Sequence, residues 1–89
     1  MPLKKGTLYI VSTPIGNLKD ITYRAVEILN SVQTIAAEDT RHTKILLKHY
    51  DIETKMISYF EHNRGLRIPQ IMNQLEKGND IALVTDAGT

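Results

Sequence analysis

The sequence predicts an α/β fold, a parallel sheet with flanking helices in the order βαβαβαβ. Three observations predict it. Four short runs rich in apolar and β-branched residues, at 8–13, 34–37, 55–60 and 80–85, read as buried strands. The stretches between them carry apolar residues at helical spacing. The connections are only a few residues long, and right-handed crossovers then place helices on both faces of one parallel sheet.

Leu8–Thr13 (LYIVST) is bounded by Gly6 and Pro14, which mark it as the first strand. Pro14-Ile15-Gly16-Asn17 is a turn, because proline fixes φ while glycine and asparagine tolerate positive φ. Asp20 or Thr22 can cap the first helix, and Ile21, Ala25, Ile28, Leu29 and Val32 form its apolar face. Thr34–Ala37 (TIAA) is the second strand, with Asp39 or Thr40 as the natural cap of a helix over Arg41–Tyr50. The apolar face of that helix reads as Ile45, Leu46 and His49. Lys55–Phe60 (KMISYF) is the third strand, and Glu61-His62-Asn63 is the polar turn after it, with Asn63 able to cap a third helix. Ile68, Ile71, Met72 and Leu75 place an apolar stripe on this helix, which Gly78 ends. Pro69 removes one backbone hydrogen bond there, so the helix either starts later than Asn63 indicates or is kinked. Asp80–Thr85 is the fourth strand.

Composition bounds the function. Eighty-nine residues make at most one domain, of modest stability. A 42% hydrophobic and 24% charged content is that of a globular chain. The absence of cysteine excludes a disulfide framework and a Cys-based zinc site, and fits a reducing cytoplasm. No apolar run approaches the roughly 20 residues needed to span a membrane, and no apolar segment of a secretory signal follows Lys4 and Lys5. Eleven Lys and Arg against ten Asp and Glu leave a net charge of +1, not the large excess of a dedicated nucleic-acid-binding domain. If RNA is bound, most of the electrostatic contact lies elsewhere or is local.

In such a sheet the loops after the strands share one rim, where ligands of open α/β sheets bind. Four loops land there: 14–19, 38–41, 61–64 and 86–89. Three of them carry a carboxylate directly after an apolar strand. Each also has a plain structural reading. The first can be no more than a strand-to-helix turn, and it is neither GxGxxG nor a P-loop. Glu38-Asp39-Thr40-Arg41 can be a capped helix start with carboxylates at the positive end of the helix dipole. Glu61-His62-Asn63 can be a solvated turn, and the small residues of Asp86-Ala87-Gly88-Thr89 can be a turn or can let a ligand approach the backbone. His42 and His49 lack metal-ligand spacing, so no metal is expected. The fourth strand runs straight into Asp86-Ala87-Gly88-Thr89 with no crossover helix after it. Residues 1–89 are therefore expected to be the N-terminal domain of a longer protein whose C-terminal domain lies outside this chain. Isolated from it, the domain is expected to expose apolar surface and an unpaired sheet edge.

The four motifs LYIVSTPIGNLKDITYRAVEIL, IAAEDTRHTKILLKHY, SYFEHN and ALVTDAGT, in this order and spacing, resemble the N-terminal part of the rRNA-methylating branch of the tetrapyrrole methylase superfamily. Phe60 departs from the pattern, where histidine is common. The resemblance covers Leu8 to Thr89. It implies a two-domain protein about three times this length that binds S-adenosylmethionine in the interdomain cleft and methylates a ribose 2′-hydroxyl of 16S rRNA in the small ribosomal subunit. It further implies a homodimer. By this resemblance Pro14 and Gly16 face the cleft, and Asp86, Ala87, Gly88 and Thr89 begin the glycine-rich loop that contacts the cofactor. The 38–41 and 61–63 turns become the substrate-facing rim. Glu38, Asp39 or His62 can serve as general base, and Arg41, with Asn63 beside it, can hold a phosphate. Two other readings compete: a tetrapyrrole precursor as the substrate, or a non-enzymatic α/β binding module. The Glu-Asp-Thr-Arg and Glu-His-Asn runs favour rRNA over the tetrapyrrole.

Overall fold

The structure, a computed structural model, describes residues 4–14 and 18–86. Its strands are β1 (Leu8–Thr13), β2 (Thr34–Ala37), β3 (Lys55–Ser58) and β4 (Ile81–Asp86), and its helices are α1 (Tyr23–Ser31), α2 (Thr40–His49) and α3 (Arg64–Glu76). Single 3₁₀ turns at Leu18–Asp20 and Glu61–Asn63 precede α1 and α3. All strand pairs are parallel, in the order β1-β4-β2-β3. The last strand is thus inserted between the first two.

The expected α/β architecture with helices on both faces is present. Its larger core lies under α1 and α2. Ala25 and Leu29 of α1, Leu46 and Leu47 of α2, and Val11, Ile35, Ala37, Ala82 and Val84 of the sheet are buried together. A smaller core lies under α3, from Ala36, Ile71 and Ile81. On β1, Tyr9 and Val11 point towards the first core, so strand alternation puts Leu8 and Ile10 on the α3 side. There α3 covers only part of the sheet. Ile10 is 63% exposed, Ile68 47% and Met72 52%, and a small apolar cavity of about 130 Å³ opens between Leu8, Leu83 and Leu75. The four-residue stripe expected on α3 is therefore buried only at Ile71 and partly at Leu75.

Three further expectations need correction. The buried face of α2 is Thr43, Leu46 and Leu47; Ile45 is 61% exposed and His49 is exposed as well. The strand β3 ends at Ser58, because its partner β2 ends at Ala37 and leaves Tyr59 only one further bond, from its N–H to the Ala37 carbonyl at 2.8 Å. The helix α3 starts directly after Asn63 with Pro69 inside it, so the late start is not used, and the Gly65 carbonyl goes without its usual i+4 donor. The first strand and β2 have the predicted bounds; β4 is shifted by one residue, to Ile81–Asp86. The turn at Ile15–Asn17 and the loop Ala87–Thr89 lie outside the described residues.

The caps resolve the open alternatives. The Thr22 hydroxyl accepts from the Ala25 N–H at 3.1 Å, and the Asp39 carboxylate accepts from the His42 N–H at 3.0 Å. Both α2 and α3 end in the same paired backbone bonds. Ile52 N–H donates to Leu47 and Asp51 N–H to Lys48; Asn79 N–H donates to Gln74 and Gly78 N–H to Leu75. The left-handed residue that this ending needs is Gly78 (φ 90°) after α3 but Asp51 (φ 55°) after α2. Asp51→Gly is therefore expected to stabilise the domain by about 0.5–1 kcal/mol, read as a higher urea midpoint with an unchanged slope.

A candidate cleft at the strand ends

Because the four strands are parallel, their C-terminal ends lie on one rim. The strand order divides it. Thr13 at the end of β1 pairs with Asp86 of β4, and the fully buried Thr13 hydroxyl donates to the Thr85 carbonyl at 3.3 Å. The loops starting at Pro14 and at Asp86 thus leave neighbouring strands. On the other half, Ala37 of β2 pairs with Ser58 of β3, so the loop 38–41 adjoins the loop 59–63. The strand ends of β1 and β4 and those of β2 and β3 thus form two adjacent halves of the rim.

The strands β2 and β3 feed helices on opposite faces, α2 and α3. Their boundary is therefore a topological switch point, the place where an open sheet leaves a crevice at its strand ends. Polar side chains stand at this boundary. Arg64, the first residue of α3, reaches across to Glu38 at 4.0 Å, and its guanidinium lies 5.7 Å from the centre of the Tyr59 ring. Both members of this ion pair are substantially exposed, so it contributes well under about 1 kcal/mol to stability. Its value is positional, since it ties the second loop to the third.

Asp39 is held by its capping bond to His42, which leaves its second oxygen without a protein partner among the described residues. The His42 ring Nε2 donates to the Pro14 carbonyl at 2.9 Å, which requires the tautomer with hydrogen on Nε2 and links α2 to the first loop. Arg41 is exposed in the first turn of α2. His62 is exposed on the 3₁₀ turn, its ring edge-on to Phe60 at 6.2 Å. Asn63 is committed to its own loop: its side chain accepts from Phe60 N–H at 2.9 Å and donates to the Ser58 hydroxyl at 2.9 Å. It does not cap α3 through its side chain. Arg67 reinforces the same loop, with Nε donating to the Ser58 carbonyl at 2.9 Å.

The structure thus brings together Glu38, Asp39, Arg41 and the start of α3, with Pro14 tied in through His42. Arg64 and Arg67 were not singled out from sequence; each acts across a strand-to-helix connection. Of the cofactor candidates, Pro14 and the backbone of Asp86 are described, while Gly16, Ala87, Gly88 and Thr89 are not. Among the described residues no group of three or more His, Cys, Asp and Glu is placed to hold a metal ion. Among the described residues no helix is long and apolar enough to cross a membrane.

Comparison with known proteins gives a consistent result. Residues 7–89 match the family described as tetrapyrrole (corrin/porphyrin) methylases. Proteins named ribosomal RNA small subunit methyltransferase I are similar over nearly the whole chain. One from Halalkalibacterium halodurans is 56% identical over 84 residues, covering 94% of this chain and 29% of the relative. One from Synechocystis is 58% identical over 84 residues, covering 94% and 30%, and one from Buchnera aphidicola is 56% identical over 86 residues, covering 97% and 30%. The chain therefore spans under a third of the length of these relatives. A match that begins one residue before β1 and runs to Thr89, set beside these identities, means that the chain belongs to the tetrapyrrole methylase family.

Proposed function

We propose that these 89 residues are the N-terminal domain of an S-adenosylmethionine-dependent methyltransferase that acts on a ribose 2′-hydroxyl of 16S rRNA, in a protein of roughly the length of its relatives. The observation that carries this reading is the polar rim where the Glu38–Arg41 run meets the loop after β3, with Arg64 4.0 Å from Glu38, in a chain more than half identical to proteins named as small-subunit rRNA methyltransferases. The names of the relatives favour RNA over a tetrapyrrole substrate, and Arg41, exposed in the first turn of α2, offers a guanidinium to a phosphate.

The rim fits the cofactor in one respect that the residues themselves supply. The ends of β1 and β4 are adjacent, and the buried Thr13 hydroxyl bonds the Thr85 carbonyl, so the two chain segments that the resemblance gives to the cofactor leave the sheet side by side. The cofactor supplies an electrophilic methyl group on a sulfonium. The protein must then align the ribose oxygen with that methyl group and take the hydroxyl proton as the oxygen–carbon bond forms and the carbon–sulfur bond breaks. Asp39 is the residue best disposed to take the proton. One of its oxygens is fixed by the helix cap and the other is free, whereas Glu38 faces Arg64. Arg41, two residues on, holds a flanking phosphate, and Arg64 lies across from Glu38 on the neighbouring loop. His62 is the second candidate base.

Exposed Leu8, Ile10, Ile68 and Met72 support the view that further chain covers the α3 face. A right-handed crossover from β4 to a strand beside the free edge of β1 would lay its helix over these residues. The cofactor cleft would then be completed by a second domain, and the cytoplasmic homodimer implied by the resemblance belongs to that longer protein.

The test is methyl transfer by the full-length protein from labelled S-adenosylmethionine to unmethylated small ribosomal subunits, with uroporphyrinogen as the competing substrate. Label in 16S rRNA that resists alkaline cleavage at one position is the expected result. Label in the tetrapyrrole, or in neither, would reject the proposal.

A further inference from the structure

We propose that the exposed face of α2 is a contact surface for the RNA backbone, with Lys44 and Lys48 as phosphate ligands that extend the reach of Arg41 away from the rim. This rests on the rRNA reading above and adds where the nucleic acid runs.

The helix Thr40–His49 carries Arg41, Lys44 and Lys48 and contains no Asp or Glu. At about 100° per residue, Arg41, Lys44, Ile45 and Lys48 fall in one stripe about 100° wide, centred opposite the buried Thr43, Leu46 and Leu47. All four are exposed. Among the described residues none of the three cations has an ion pair or a side-chain hydrogen bond. The other helices differ. In α1, Arg24 is accompanied by Glu27; in α3, Arg64 and Arg67 are engaged with Glu38, Ser58 and Gln70. Arg24, Lys55 and Lys77 also lack a partner among the described residues, but each stands alone, whereas α2 gathers three such cations on one exposed face with no acidic residue in the helix.

Position gives the stripe its meaning. Arg41 sits two residues after Asp39, and Lys48 lies about 10 Å further along the helix axis. A polyanion with one ribose beside Asp39 carries its neighbouring phosphates over adjoining protein, and α2 starts at Asp39 and runs away from the rim on the side of the larger core. Lysines on an exposed helix face act as point charges. They suit phosphodiesters, which present repeated negative charge without sequence information. The stripe ends where Asp51 and Glu53 follow the helix, beside an open cavity of about 820 Å³ that Lys44 and Lys48 also line.

The experiment measures equilibrium binding of full-length protein to unmethylated small ribosomal subunits between 50 and 200 mM KCl. Wild type is compared with the double variant Lys44→Ala/Lys48→Ala, the charge-conserving Lys44→Arg/Lys48→Arg, and Arg24→Ala on α1 as a control. The alanine pair is expected to bind about ten-fold more weakly near 100 mM salt, and its plot of log affinity against log salt should flatten by about 1.5, one phosphate per lysine. The arginine pair and Arg24→Ala should keep the wild-type slope, and all variants should keep S-adenosylmethionine affinity and melting temperature. An unchanged slope in the alanine pair overturns the proposal; weaker binding at unchanged slope also does, by placing the lysines against protein. Wild type that binds the cofactor but not the subunits ends the rRNA reading itself.

Discussion

Asp39→Asn is expected to lower methyl transfer by the full-length protein at least about a hundred-fold while leaving its melting temperature within a degree of wild type. The first number follows from removing a general base, which is worth roughly 10²–10⁴ in rate. The second follows from the cap. Asparagine is as good an N-cap as aspartate, so the bond now made to the His42 N–H is kept and α2 keeps its start. Asp39→Ala would confound the two effects, because losing the cap costs about 1 kcal/mol on its own. Single-turnover rates at saturating subunits and cofactor separate chemistry from binding. A rate within three-fold of wild type would remove Asp39 as the base and pass the role to His62, for which the same measurement on His62→Gln applies.

Leu46→Ala is expected to destabilise the domain by about 3 kcal/mol. Leu46 is fully buried at the centre of the larger core, and truncating such a leucine costs about 2–5 kcal/mol through lost burial and the cavity left behind. A domain of this size has roughly 5–10 kcal/mol in total, so the variant should sit close to its unfolding midpoint in mild denaturant. Leu46→Met should cost under about 1.5 kcal/mol, since it conserves volume. Urea unfolding followed by far-UV circular dichroism reads both. A loss below 1 kcal/mol for the alanine variant would mean that α2 does not seat on the sheet as described, and the placement of Asp39 and Arg41 would fall with it.

Much of the architecture was legible in the sequence because its punctuation is local. Gly6 and Pro14 bracket β1; the Thr22 and Asp39 side chains cap their helices within three residues. What was not legible depends on neighbours. The end of β3 is set by the length of β2, so the apolar Tyr59 and Phe60 read as strand although no ladder remains for them. The face of α2 was misread by about one position because Thr43 is polar yet buried, while Ile45 is apolar yet exposed. In the cleft, the carboxylates could be found from their place after apolar strands. The Arg64–Glu38 contact could not, because it exists only once β2 and β3 are known to be adjacent.

The insertion of β4 between β1 and β2 has a consequence for the order of events during synthesis. Until residues 81–86 are available, β1 has no hydrogen-bonding partner, since β4 is its only neighbour in the described sheet. In the described sheet β1 must therefore wait for β4, with more than seventy residues of chain between paired positions such as Leu8 and Ile81. Pairings of such long sequence separation slow folding, and a nascent chain halted before residue 81 would hold a β2–β3 pair and three helices around a gap. Native structure should then appear in nascent chains abruptly, over the span of a single strand.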